Sequence, residues 1–180
     1  MRLGAVWGIV VMFCAIPAGA FAQALGTASS SGLTANVVGI AYAQGEVSVE
    51  VVIKNTSNTR IYIQDARTDG SQEAFLGSGV RLNGPMPNGM PFCNESYAQC
   101  VTGNTNTAIS LFSYIDPGSS LGVSMRYNAS QPPSNPDTIS FSITMMARFA
   151  KSEDDNSPGD AGPVQEITLP FAFLSFSQKD

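Results

Sequence analysis

The sequence predicts an all-β protein, two antiparallel sheets packed face to face and built from about seven to nine strands. Two observations carry that expectation. Apolar residues recur at every second position from about Leu33 to the C-terminus, the spacing that lines one side of a pleated strand and would scatter around a helix. Clusters of Gly, Pro, Asn and Ser interrupt the alternation, as turns do between short strands. Strands with one apolar face cannot bury it alone, so two layers are the natural outcome. Closure into a single barrel uses the same alternation and is the alternative.

The first segment is set apart from the fold. Met1 and Arg2 precede an apolar run from Leu3 to about Ile16, followed by Pro17 and the small-residue stretch AGAFAQA. A positive start, a short apolar core and an A-x-A pattern make a secretory signal peptide over residues 1–22. The expected cut follows Ala20-Phe21-Ala22, with Ala22-Gln23-Ala24 as the rival. The run is broken by Gly8 and Pro17, too short to span roughly 30 Å of hydrocarbon. Removing 22 of 180 residues leaves 158, the size of one domain. Residues 23–32 read as a flexible N-terminal segment and 33–180 as a single domain.

Within the domain the elements follow in order. Residues 33–42 alternate weakly, with a slip of phase near Val37-Val38 of the kind a bulge causes. Val47, Val49, Val51 and Ile53 share one face and Ser48, Glu50 and Lys54 the other. Asn55-Thr56-Ser57-Asn58 then reads as a hairpin turn, after which Ile61 and Ile63 resume the pattern. Weaker strands are expected over 74–82 and 108–115. Leu121, Val123, Met125 and Tyr127 form one clear face, and Ile139, Phe141, Ile143 and Met145 another. Between them NASQPPSNPD, with three prolines, stiffens a hairpin or bridges two sheets. The final segment, ITLPFAFLSFS, is apolar on both sides around Phe171, Phe173, Leu174 and Phe176, and Pro170 marks it as an edge or a late start. An exposed apolar edge is a liability; the chain's own N-terminal segment or a partner's strand would cover it.

The turn Ile115-Asp116-Pro117-Gly118-Ser119, together with VSVEVVIKNTSNTRIYI, resembles the immunoglobulin-like sandwich modules of bacterial exported proteins. The likeness covers roughly 33–176 and rests on turn chemistry. The widely spaced cysteine pair and core tryptophan of antibody domains have no counterpart, since Trp7 lies in the signal. The resemblance implies a binding or spacer architecture and carries over no functional residues.

Export frames the cysteines. With Cys14 removed, Cys93 and Cys100 are the remaining thiols in an oxidising compartment, periplasmic or extracellular. A structural disulfide is the expected reading. The alternatives are a redox pair, for which six intervening residues in a turn-rich stretch are the wrong spacing, and a metal site, for which a chain without histidine must recruit carboxylates. Closing so short a loop removes about 2.5 kcal/mol of unfolded-chain freedom. The disulfide lies in a long loop at 83–106, where Met86, Met90, Phe92 and Tyr97 offer adaptable apolar contacts for recognition or fold back as a cap. A second loop, Lys151 to Pro163, holds Asp154, Asn156 and Asp160, a weak calcium candidate whose spacing departs from the EF-hand. Asn55, Asn94 and Asn128 begin N-x-S sequons, sites of glycosylation in a eukaryotic secretory pathway.

Charge and composition narrow the function. Without Arg2 the balance is eight cations against fourteen acids, or −6, which leaves no footprint for nucleic acid. No membrane span is expected once the signal is gone. The absence of histidine removes Ser-His-Asp and His-activated thiol chemistry. Carboxylates at Glu46, Glu50, Asp65, Asp69 and Glu73 leave glycan hydrolysis as a third reading. The expectation is a non-catalytic binding module without cofactor, its partner a protein or a cell-envelope polymer. A structural or assembly subunit pairing through its C-terminal strand is the alternative.

Overall fold

Eleven strands run through the computed structural model, which describes residues 24–66, 73–84, 100–105, 108–152, 155 and 157–177, with backbone alone at 64–66 and 100–112. They are β1 (Gly26–Ser30), β2 (Leu33–Ala43), β3 (Glu46–Asn55), β4 (Ile61–Ala66), β5 (Ala74–Leu76), β6 (Arg81–Leu82), β7 (Cys100–Thr105), β8 (Ala108–Ile115), β9 (Ser120–Asn128), β10 (Asp137–Phe149) and β11 (Gln165–Phe176). Every pairing is antiparallel, and among the described residues there is no helix.

The count exceeds seven to nine because several strands carry little apolar signal. β1 is GTASS, β6 has two residues, and β7 occupies 100–105, the end of the stretch expected to be loop. Likewise 26–30, expected to be flexible, pairs residue for residue with β2. These strands form through backbone ladders to stronger neighbours, which a side-chain pattern does not report.

One sheet has the order β1-β2-β3-β9. The other is organised by β10, whose thirteen residues take β11 along one edge. Its opposite edge is divided: Ile139 to Phe141 pair with β5, which carries β6, while Met145 to Phe149 pair with β4, which leads on to β8 and β7. The inner faces share one core. Val47, Val49, Val51 and Ile53 of β3 and Leu121, Val123, Met125 and Tyr127 of β9 meet Ile139, Phe141, Ile143 and Met145 of β10, all buried. Each such side chain contributes about 1.5 to 3 kcal/mol. An aromatic run crosses the interior, from Tyr127 to Phe141 at 6.4 Å and on to Phe171, stacked at 4.8 Å.

The turns explain the connectivity. Ser31-Gly32 and Gln44-Gly45 have positive φ at both positions, the hairpin geometry that matches strand twist, and they join β1 to β2 and β2 to β3. The expected hairpin at Asn55 to Asn58 is instead a crossing, since β3 and β4 lie in different sheets. The cause is Asn55. Fully buried, it donates to the carbonyls of Thr59 and Ile115 at 2.8 Å, while its oxygen accepts from the Ser57 amide at 2.9 Å and hydroxyl at 2.7 Å. These bonds hold the chain in a corner between the layers. The Asp116-Pro117-Gly118-Ser119 turn crosses back beside it, with the Gly118 amide donating to the Asn55 carbonyl. The proline-rich 129–136 segment is the third crossing, between β9 and β10.

The slip near Val37-Val38 is a bulge: pairing with β3 passes from Val37 opposite Val51 to Gly39 opposite Glu50, leaving Val38 extra. A second bulge resolves the two-sided apolar character of β11. Register with β10 passes from Ile139 opposite Leu174 to Phe141 opposite Phe171, so Ser140 faces both Ala172 and Phe173. The added residue turns Phe171, Leu174 and Phe176 all inward and leaves Phe173 outside.

Candidate functional site

The outer face of the β10-centred sheet has two parts. Over β4 and β8 it is covered by the chain itself. Tyr62 is fully buried there beside Ala150 and Ala161, and its hydroxyl donates to the Asp155 carbonyl at 2.7 Å. The Asp155 carboxylate accepts from the amides of Lys151 at 2.6 Å and Ser152 at 3.1 Å, and these bonds, the Lys151 amide foremost, hold its pKa below the ordinary carboxylate value. Arg148 donates to the Pro158 carbonyl. Arg60 pairs with Asp116 at 2.6 Å and lies 4.6 Å over the Tyr114 ring. The acidic loop is thus a strap over Tyr62, fastened by backbone carbonyls.

Among the described residues nothing covers the same face over β5, β10 and β11. Phe173 is 76% exposed and holds φ at +53°, a conformation that crowds the Cβ of any bulky residue. Its amide donates to the Ser140 hydroxyl at 2.9 Å. Phe75 is directly opposite Ser140 on β5, 38% exposed, and Arg81 follows on β6, paired with Glu73 at 2.9 Å. Strand spacing of about 4.8 Å sets the backbones of Phe75 and Phe173 roughly 10 Å apart across Ser140. Exposed Pro170 and Ala172 flank Phe173. The surface is a small apolar ridge on a floor of serine and threonine, with an ion pair at its margin.

The free edge of β11 is defended. Pro170 interrupts its donors, the bulge bends it, and β1 lies against its end, where a Cβ on Gly26 would come within 2.5 Å of Leu174. The N-terminal segment therefore stands where a covering strand was expected.

Other expected sites separate. Met86, Met90, Phe92, Cys93 and Tyr97 lie outside the described residues, and Cys100 is described by its backbone alone, opening β7. Asp154 and Asn156 are likewise outside, while Asp160 is exposed. Among the described residues no three His, Cys, Asp or Glu side chains gather to hold a metal, and no helix is long and apolar enough to cross a membrane. Of the carboxylates, Glu73 pairs with Arg81, Asp69 is outside, and Asp65 is described by backbone alone. Glu46 and Glu50 stand on the outer face of β3, their backbones roughly 13 Å apart at about 3.4 Å per residue. Asn94 is outside, and Asn55 is buried with its amide bonded, so in the folded chain it is closed to a glycan.

The alternation did not foresee the roles of Ser140 and Asp155. Phe173 had a signal: it stands next to Leu174, where strict alternation allows one apolar residue and not two.

No family model matches this chain. No curated protein matches it either. Among solved structures it has a likeness to AvmM, which catalyses macrocyclization in alchivemycin A biosynthesis, at 10% identity over 78% of this chain and 89% of that one, with a TM-score of 0.26; a likeness at that level carries no argument.

Proposed function

We propose that this protein is an exported, non-catalytic binding module of immunoglobulin-like sandwich architecture, stapled by a Cys93–Cys100 disulfide, that docks a protein partner through the open outer face around Phe173. The observation that carries the reading is the placement of that ring. An exposed phenylalanine in left-handed backbone costs about 1 to 3 kcal/mol in strain and recovers little from burial. Such a group fits a role outside the folding core, and aromatic side chains are the commonest anchors of protein interfaces. The signal-like first 22 residues support export, and the short cysteine spacing in that compartment supports the disulfide.

Pairing through the edge of β11, the assembly reading, is opposed by Pro170, the bulge and β1. Retention of a protein from the native envelope fraction on immobilised mature chain, and on a Phe173→Ser variant with unchanged circular dichroism, tests the docking face. The expected result is a retained protein whose affinity, measured after purification, falls at least about thirtyfold in the variant, as for loss of a 2 kcal/mol anchor. Equal affinity for both forms overturns the docking face. A concentration-dependent dimer by light scattering that survives Phe173→Ser would favour the assembly reading.

A further inference from the structure

The second open surface belongs to the other sheet and is independent of Phe173. β1 covers β2 only from Leu33 to Val37. At Val38 the bulge bends the strand, and from Gly39 to Ala43 it keeps β3 on one side, while among the described residues no strand pairs with the other. That side borders a depression lined by Gly39, Ile40, Ala41, Tyr42, Ser48, Glu50 and Ser177. On the proposed cut after Ala22, the chain's own start is too short to fill it. Gly26 is opposite Val37, so continuing the ladder to Ala43 needs five residues beyond Leu25; a chain cut after Ala22 has two, Ala24 and Gln23.

We propose that the Gly39–Ala43 edge accepts an extended segment of a partner polypeptide that carries a basic side chain. Adding a strand satisfies the bare backbone groups, and alternate side chains set the specificity. On the inner side Ile40 and Tyr42 pack against the core, so apolar residues of the added strand extend it. On the outer side the edge presents Gly39, Ala41 and Ala43, nothing larger than a methyl, and behind them on β3 stand Glu50, Ser48 and Glu46. A lysine or arginine on the added strand reaches across Gly39 to the Glu50 carboxylate, one oxygen of which accepts from Ser124 at 2.7 Å. Of the cations on this face, Arg126 is on β9, beyond Ser48, and Lys54 is on β3 opposite Thr34, away from the Gly39–Ala43 edge.

The test uses the mature chain, residues 23–180, isotopically labelled, with the probe acetyl-Thr-Val-Lys-Val-Thr-amide and its counterpart bearing Glu in place of Lys. Titration at low salt is expected to shift the Gly39–Ala43 amide resonances and slow the exchange of those that turn away from β3. The lysine peptide should bind about tenfold more tightly than the glutamate peptide. Glu50→Lys, with Glu46→Lys as a second charge reversal in case the first disturbs folding, should invert the preference. The proposal is overturned if those of the Gly39–Ala43 amides that turn away from β3 are already slow to exchange in the free chain, if neither peptide shifts them, if both bind equally, or if they shift with chain concentration while light scattering shows a dimer. None of these outcomes depends on Phe173.

Discussion

The Phe173 amide donates to the Ser140 hydroxyl across the β10–β11 bulge at 2.9 Å. The serine side chain thereby takes the place of a ladder carbonyl, and the bulge is held with the phenylalanine outward. A side chain supplied by one strand fixes the strained backbone of its neighbour, so the two substitutions below read the same device from its two ends.

Replacing Phe173 with Gly should stabilise the fold while removing the ridge. Glycine enters the left-handed region freely, which relieves about 1 to 2 kcal/mol against up to about 1 kcal/mol of added unfolded-chain freedom. The expected rise in melting temperature is about 1 to 3 °C, with loss of partner binding. A fall of several degrees would show that the ring supports the core.

Ser140→Ala removes the acceptor. Because the bond is exposed, the expected cost is small, about 0.5 kcal/mol. Exchange of the Phe173 amide should nevertheless accelerate severalfold relative to its β11 neighbours. Unchanged protection would mean that the ladder alone shapes the bulge.

Asn55→Ala should be among the most destabilising polar substitutions. It takes the side-chain partner from the Ile115 carbonyl and the Ser57 amide in a buried corner and leaves the Thr59 carbonyl only the Ser57 hydroxyl, at about 2 to 4 kcal/mol. Asn55→Asp keeps the shape but sets a carboxylate against two carbonyl oxygens, and should be no better. Chemical denaturation of both variants checks this, with a loss below about 1 kcal/mol counting against the corner's role.

At Gly77 a Cβ would collide with Thr138 Oγ1 and stand 3.0 Å from Asp137 Oδ1. Gly77→Ala is therefore expected to cost about 1 to 3 kcal/mol through displacement of the β10 start, read as a lower denaturation midpoint with unchanged slope.

The strap over Tyr62 should loosen in acid. Hydrogen bonds from the Lys151 and Ser152 amides depress the Asp155 pKa below its ordinary 3.8. Their stabilisation is full above that value and is lost as pH falls through the lower, folded-state pKa. Exchange protection of these two amides should hold at pH 5 and fade only once the pH is below the ordinary value of 3.8; Asp155→Asn should abolish the pH dependence. Constant protection to pH 2 would contradict the assignment.

Much of the fold was legible because alternation is a local property. The buried faces of β3, β9 and β10 follow from every second residue being apolar, and the misfit at Val37-Val38 marked a real bulge. Which side of each strong strand turns inward, and where most turns fall, can be read from the residues alone. Which sheet receives each strand depends on contacts between segments far apart in the chain. Asn55 read as a hairpin residue because its partner at Ile115 lies sixty positions away, β1 and β7 went unread because their residues carry little apolar alternation and pair along a neighbour's backbone, and 74–82 read as one strand where the chain turns to make two, β5 and β6. The same holds for the candidate surfaces. Phe173 is exposed because a ladder shift opposite Ser140 turned it out, and among the described residues the β2 edge lacks a second strand beyond Val37, where its ladder to β1 ends; both depend on how two strands meet, which neither strand's residues specify alone.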